Sequence, residues 1–125
     1  RHVWIVDDDE EMSRAVGLML YLLECDTTSF FNVRSAVQTL LTGKMPDLII
    51  LDTNLPEVSG LDMLEFLRRR PEWKNLPVVM LSSETADTIV DRALELGADS
   101  YVKKPVTIEE LEKAIVTAFS NHLNV

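Results

Sequence analysis

The stretch PDLIILDTNLPEVSG, residues 46–60, decides the fold. Its run Leu48-Ile49-Ile50-Leu51 shows no polar alternation, the pattern of a strand buried on both faces of a parallel sheet. The run ends on Asp52 and breaks at Asn54, Pro56 and Gly60, residue types that favour turns. A lone carboxylate at the tip of a buried strand costs several kcal/mol, or stays protonated, unless something nearby compensates it. The partners of Asp52 have to come from other segments.

Working outward, VWIV at 3–6 and VVML at 78–81 read as strands of the same kind. Two weaker strands are expected around Thr27 to Phe31 and Ser100 to Val102. Helical periodicity lies between them. Met12, Val16, Met19, Leu20 and Leu23 share one helix face, Leu61, Leu64, Phe66 and Leu67 another, and Ile89, Ala93 and Leu96 a third. Thr107 with Glu110 forms a capping box that opens a last helix, whose stripe is Leu111, Ala114, Ile115, Ala118 and Phe119. Gly43 and Gly97 stand where helices should stop. The order βαβαβαβαβα predicts an α/β domain with a parallel sheet and helices on both faces. In such folds the loops at the carboxyl ends of the strands are the default site. Asp7-Asp8-Asp9, Asp52, Ser82-Ser83 and Lys103-Lys104-Pro105 all fall on that edge.

A chain of 125 residues fits one domain over 1–125 and buries a core without disulfides or metal. It opens Arg1-His2 without a Met and enters an apolar run at once, the expectation for a domain excised from a longer protein. A hydrophobic content of 46% with 26% charged residues argues against disorder. The net charge of −9 disfavours direct binding to nucleic acid or an anionic membrane, both of which need basic patches. Cys25 is the single cysteine, so no intramolecular disulfide or CxxC pair exists, and it reads as a small buried hydrophobe. No apolar run approaches the roughly 20 residues of a membrane span, and a cytoplasmic location is expected. Trp4 reads as core and Trp73, in the loop RPEWKNLP, as partly exposed; His2 and His122 show no ligand spacing.

Carboxylates converging at strand ends repel one another, and a divalent cation holds them ionised together. Oxygen ligands without cysteine or well-placed histidine call for a hard metal, Mg²⁺ or Mn²⁺ in its place. Mg²⁺ usually shares its site with phosphate oxygens. A carboxylate can then be the nucleophile, giving an aspartyl phosphate, while a lysine neutralises the group and a hydroxyl donates to it. Asp52, Lys104 and Ser82 suit those roles. Plainer readings stand beside these. Asp9, Glu10 and Glu11 serve a helix N-terminus, Ser82 and Ser83 could cap a helix, and Lys104 could be a solvated charge like Lys103.

The motifs VDDD, LIILDTNLPEVSG, VVMLSS and SYVKKP, in this order and spacing, make the chain similar to response-regulator receiver domains of two-component signalling over essentially its whole length. That resemblance implies a (βα)5 flavodoxin-like fold with strand order 2-1-3-4-5. It implies Asp52 as phosphoacceptor, with Mg²⁺ bound by Asp8, Asp52 and the Asn54 carbonyl, and by Asp7 through a water. Ser82, Lys104 and Tyr101 correspond to the switch hydroxyl, the lysine and the aromatic that turns inward on activation. Lys104-Pro105 is the family's candidate cis peptide. Asn54 and Glu84 occupy the positions that tune phosphoryl lifetime, resembling chemotaxis-type receivers. Leu55, Ser83 and Val106 depart from the commoner Met, Ala or Gly, and Phe, and remove no catalytic group.

The implied function is a phosphorylation-dependent signalling switch, phosphorylated from the phosphohistidine of a sensor histidine kinase or phosphotransfer protein. It would act on an output domain or effector through the face of the fourth helix, fifth strand and fifth helix. Such a module is no dedicated enzyme; it catalyses its own Mg²⁺-dependent phosphorylation and slow self-dephosphorylation. A phosphorylation-dependent homodimer is a further option, although Ser100 and Ala114 stand where dimerising receivers carry charges. Three alternatives compete. A haloacid-dehalogenase-like phosphohydrolase would want an acid at Asn54. A flavin or nucleotide module would want a Gly-rich loop where Asp7-Asp8-Asp9 stands. A degenerate receiver would signal without phosphorylation.

Overall fold

The computed structural model describes residues 1–83 and 87–123. Five strands, β1 (His2–Val6), β2 (Asp26–Phe30), β3 (Leu48–Asp52), β4 (Val78–Ser82) and β5 (Ser100–Lys103), alternate with five helices. The helices are α1 (Glu10–Leu22), α2 (Val33–Leu41), α3 (Gly60–Arg69), α4 (Asp87–Glu95) and α5 (Ile108–Ser120). All strands pair in parallel in the order β2-β1-β3-β4-β5, the flavodoxin-like arrangement expected from the sequence.

Strand alternation divides the core in two. Trp4, Val6, Ile49, Leu51, Val78 and Met80 point to the face covered by α2, α3 and α4. Val3, Ile5, Leu48, Ile50, Val79 and Leu81 point to the face covered by α1 and α5. Because β1, β3 and β4 are covered on both sides, their runs carry no polar break. β2 is an edge strand with four exposed residues, which is why its sequence, DTTSF, reads weakly; it begins one residue before the predicted start.

The helices start and stop for local reasons. Asp9 caps α1 by accepting from the Glu11 and Met12 N–H groups, as its acidic run anticipated. Asn32, Ser59 and Thr107 cap α2, α3 and α5 in the same way. Gly43 and Gly97 follow α2 and α4 with φ of 97° and 108°, left-handed conformations that glycine adopts without strain. Gly60 has a different reason. A Cβ there would lie 1.8 Å from the Asp52 carbonyl oxygen, so only glycine lets α3 begin directly against the end of β3.

Two sequence expectations are corrected. Trp73 is 5% exposed instead of lying partly in solvent. Its ring packs 5.7 Å from that of Phe66, with the Arg70 guanidinium 5.2 Å away, and Arg68 Nη1 donates to the carbonyls of Trp73 and Leu76, folding the loop inward. Cys25 is half-buried, because it leads into the edge strand instead of a central one. His122, given no role, bonds Asp99 Oδ1 at 2.9 Å. Asp99 also accepts from Arg68, Asn121 and the Val78 N–H, tying the ends of α3 and α5 to the start of β4. Among the described residues no helix is long and apolar enough to cross a membrane.

Candidate functional site

At the carboxyl edge of the sheet, β1 delivers Asp7, β3 delivers Asp52, and β4 and β5 deliver Ser82 and Lys104. The register aligns Asp52 with Leu81 and Ser82 with Lys103, so residues far apart in sequence end at one level. Asp7, Asp52 and Ser82 are buried, at 0%, 3% and 2% exposure, whereas Asp8 is exposed. One carboxylate oxygen from each of Asp7, Asp8 and Asp52 lies within 4.8 Å of the other two.

Lys104 bridges the two buried acids. Its Nζ donates to Asp52 Oδ2 at 3.1 Å and lies 3.4 Å from Asp7 Oδ2. The first contact is a hydrogen bond; the second is an ion pair without hydrogen-bond geometry, since Asp7 Oδ2 has no hydrogen-bond partner. Asp7 Oδ1 accepts from the Asp9 N–H, and Asp52 Oδ1 from the Asn54 N–H. Burial pushes the Asp7 carboxyl up to about 6; the Asp9 N–H opposes this, the nearby Asp52 adds to it, and the Lys104 charge opposes it. For Lys104, burial would lower the pKa, but Asp52 and Asp7 together outweigh it and raise it above 10.5.

The donor set is all oxygen, with one buried carboxylate oxygen lacking a hydrogen bond and two acids that repel. Those are the properties of a site for a hard divalent cation.

The remaining predicted residues distribute as follows. Asn54 is exposed beside Asp52 and contributes its N–H to that carboxylate. The Lys104 N–H donates to the Ser82 carbonyl at 2.9 Å, and the Lys104–Pro105 peptide is cis. Tyr101 is 40% exposed on β5. Glu84 lies outside the described residues. Sequence reasoning missed Thr53, which is buried with its Oγ1 lacking a hydrogen-bond partner, directly after Asp52. Nothing in the sequence distinguishes that threonine from any turn residue.

The profile of the response regulator receiver domain matches residues 3–116. The chain belongs to the response regulator receiver domain family. The receiver is 37% identical over 109 residues to the phosphate regulon transcriptional regulatory protein PhoB of Rhizobium meliloti, covering 86% of this chain and 47% of that protein. It is 30% identical over 112 residues to the two-component response regulator ORR3 of Oryza sativa, covering 90% of this chain and 86% of that protein. Among solved structures, the signal receiver domain of a signal transduction histidine kinase from Syntrophus aciditrophicus superposes with a TM-score of 0.86 at 28% identity, covering 99% and 93% of the two chains. Chemotaxis protein CheY4 of Vibrio cholerae gives 0.84 at 25% identity, covering 94% and 97%. The receiver spans 17% to 52% of the length of the first curated relatives it matches. Membership places the domain in two-component signalling as a regulatory module and not a dedicated enzyme.

Proposed function

We propose that the receiver is a phosphorylation switch whose phosphoacceptor is Asp52 and whose donor is the phosphohistidine of a sensor histidine kinase or phosphotransfer protein. The observation that carries this reading is the single lysine, Lys104, held between two buried carboxylates of an acidic triad. A cation poised there is suited to an incoming anion.

In the transfer, an Asp52 carboxylate oxygen forms a bond to phosphorus while the P–N bond to the donor imidazole breaks, its electron pair returning to nitrogen. Asp8, Asp52 and the Asn54 carbonyl would hold Mg²⁺, or Mn²⁺ in its place, with Asp7 acting through a water. When bound, the metal neutralises charge developing on the phosphoryl oxygens. Lys104 stays cationic throughout, its raised pKa seeing to that, and shifts its charge from Asp52 to the phosphoryl group. Ser82, at the end of the neighbouring strand, donates its hydroxyl to another phosphoryl oxygen. Both interactions exist only in the phosphorylated state and bias the α4, β5 and α5 face, with Tyr101 turning inward from its exposed position. That face would act on an output domain, an effector or a second phosphorylated copy. Asn54 and Glu84 would set how fast water removes the group.

Intact mass after incubation with acetyl phosphate and Mg²⁺ tests the reading. The expected result is gain of one phosphoryl group, abolished by EDTA and by Asp52→Ala. No gain, together with failure to bind beryllofluoride, would refute Asp52 as acceptor.

A further inference from the structure

Exposed apolar residues outside the acidic site, Leu18, Tyr21, Leu22 and Val116, lie on α1 and α5 beside the edge of the core. α1 and α5 cover the same face of the sheet, and a groove of about 540 Å³ opens between them. Leu22, Leu23, Ile115, Val116 and Phe119 line it. Leu22 and Val116 are 63% and 59% exposed, and Leu18 and Tyr21, at 62% and 74%, extend the apolar surface along α1. Apolar exposure shared by adjacent helices is a feature of interaction surfaces. The groove lies where α1 leads into β2, at the amino ends of the strands. A strand of five residues spans about 17 Å, so the groove sits on the end of the domain opposite Asp52.

Charge says what fits. Glu24 and Glu112 line the groove, with Asp26 and Glu109 exposed on the elements beside it, in a chain of net charge −9. Among the described residues that line it Arg1 is the one base, and its guanidinium rests 3.9 Å from the centroid of the Phe119 ring. The chain therefore already seats one cation on this aromatic floor between acids. A second copy would bring the same acids against these and repel. A helix pressed into the groove between two others can interdigitate its side chains with both, and an acidic rim selects one with basic flanks.

We propose that the α1–α5 groove docks an amphipathic helix of a partner protein, with its apolar stripe on Leu22, Val116 and Phe119 and its flanking Lys or Arg residues over Glu24 and Glu112. The site is independent of phosphoryl transfer at Asp52.

The test is an NMR amide titration of the whole chain with two synthetic amphipathic helices that share one leucine stripe, one flanked by lysines and the other by glutamates. The expected result is that the lysine peptide shifts Leu22, Cys25, Val116 and Phe119, and binds at least tenfold more tightly than the glutamate peptide. Val116→Glu, at an exposed position, should weaken lysine-peptide binding at least tenfold with the spectrum otherwise preserved, and Glu24→Lys combined with Glu112→Lys should reverse the preference between peptides. Equal binding of both peptides, binding of neither, or shifts confined to the Asp52 end would overturn the proposal. So would a dimer in sedimentation equilibrium that Val116→Glu dissolves, since the groove would then belong to a second copy.

Discussion

Replacing Asp7 with asparagine should make the metal-free receiver more stable near neutral pH. The Asp7 side chain is fully buried, and one of its oxygens lacks a hydrogen bond. Burial, reinforced by Asp52, raises its pKa from an ordinary 3.8 to about 6. The carboxyl thus binds its proton more tightly in the folded chain than in the unfolded one. Its contribution to stability is full below pH 3.8 and is lost as pH rises through about 6. At 1.36 kcal/mol per pH unit that difference amounts to about 3 kcal/mol by neutral pH. Asparagine keeps an acceptor for the Asp9 N–H and offers Asp52 the donor that protonated Asp7 would supply. Urea unfolding in EDTA should therefore show Asp7→Asn more stable than the parent by about 2–3 kcal/mol at pH 7.5. The advantage should shrink toward zero at pH 4, where the parent carboxyl is protonated. Adding Mg²⁺ should stabilise the parent by about 2.7 kcal/mol at a hundredfold excess over its Kd, and the variant much less. A variant less stable than the parent in EDTA at pH 7.5, or an advantage independent of pH, would refute the reasoning.

Three other perturbations follow from the geometry. Gly60→Ala forces a Cβ against the Asp52 carbonyl and should cost about 3 kcal/mol or more by chemical denaturation; an unchanged midpoint would contradict the close approach. Asp99→Ala removes the ion-pair partner of a half-buried Arg68, which keeps its carbonyl acceptors, and the acceptor of the Val78 N–H, and should cost about 2 kcal/mol, with a loss below 1 kcal/mol on urea unfolding counting against that account. Thr53→Val removes a buried hydroxyl without a partner and should raise stability by about 1 kcal/mol; a loss of that size on urea unfolding would mean that the hydroxyl is satisfied.

Legibility in the sequence followed coverage by the rest of the fold. Leu48 to Leu51 and Val78 to Leu81 are buried on both faces, so hydrophobicity alone reveals them. β2 has one free edge and exposed side chains, and its Thr-Ser run resembles a loop. Asp7, Asp8, Asp52 and Lys104 were legible because each ends or follows a strand, the position that α/β topology turns into a site. Trp73 misled because a tryptophan in a loop bounded by prolines looks exposed. The carbonyl bonds from Arg68 and packing with the core, the ring of Phe66 included, draw it inward. His122 and Asp99 are 23 residues apart and carry no pattern that would pair them.

By itself the sequence determined the alternation of strands and helices, the caps and the edge that gathers the acids, because these depend on local periodicity and on which side chains turns and helix ends require. Only the tertiary structure decided that Lys104 stands 3.1 Å from Asp52 and 3.4 Å from Asp7, that Asp8 stays in water while Asp7 is buried, and that apolar side chains on α1 and α5 meet in one groove. Those are relations across the sheet, and they are set by strand order, register and desolvation, which no stretch of chain encodes alone.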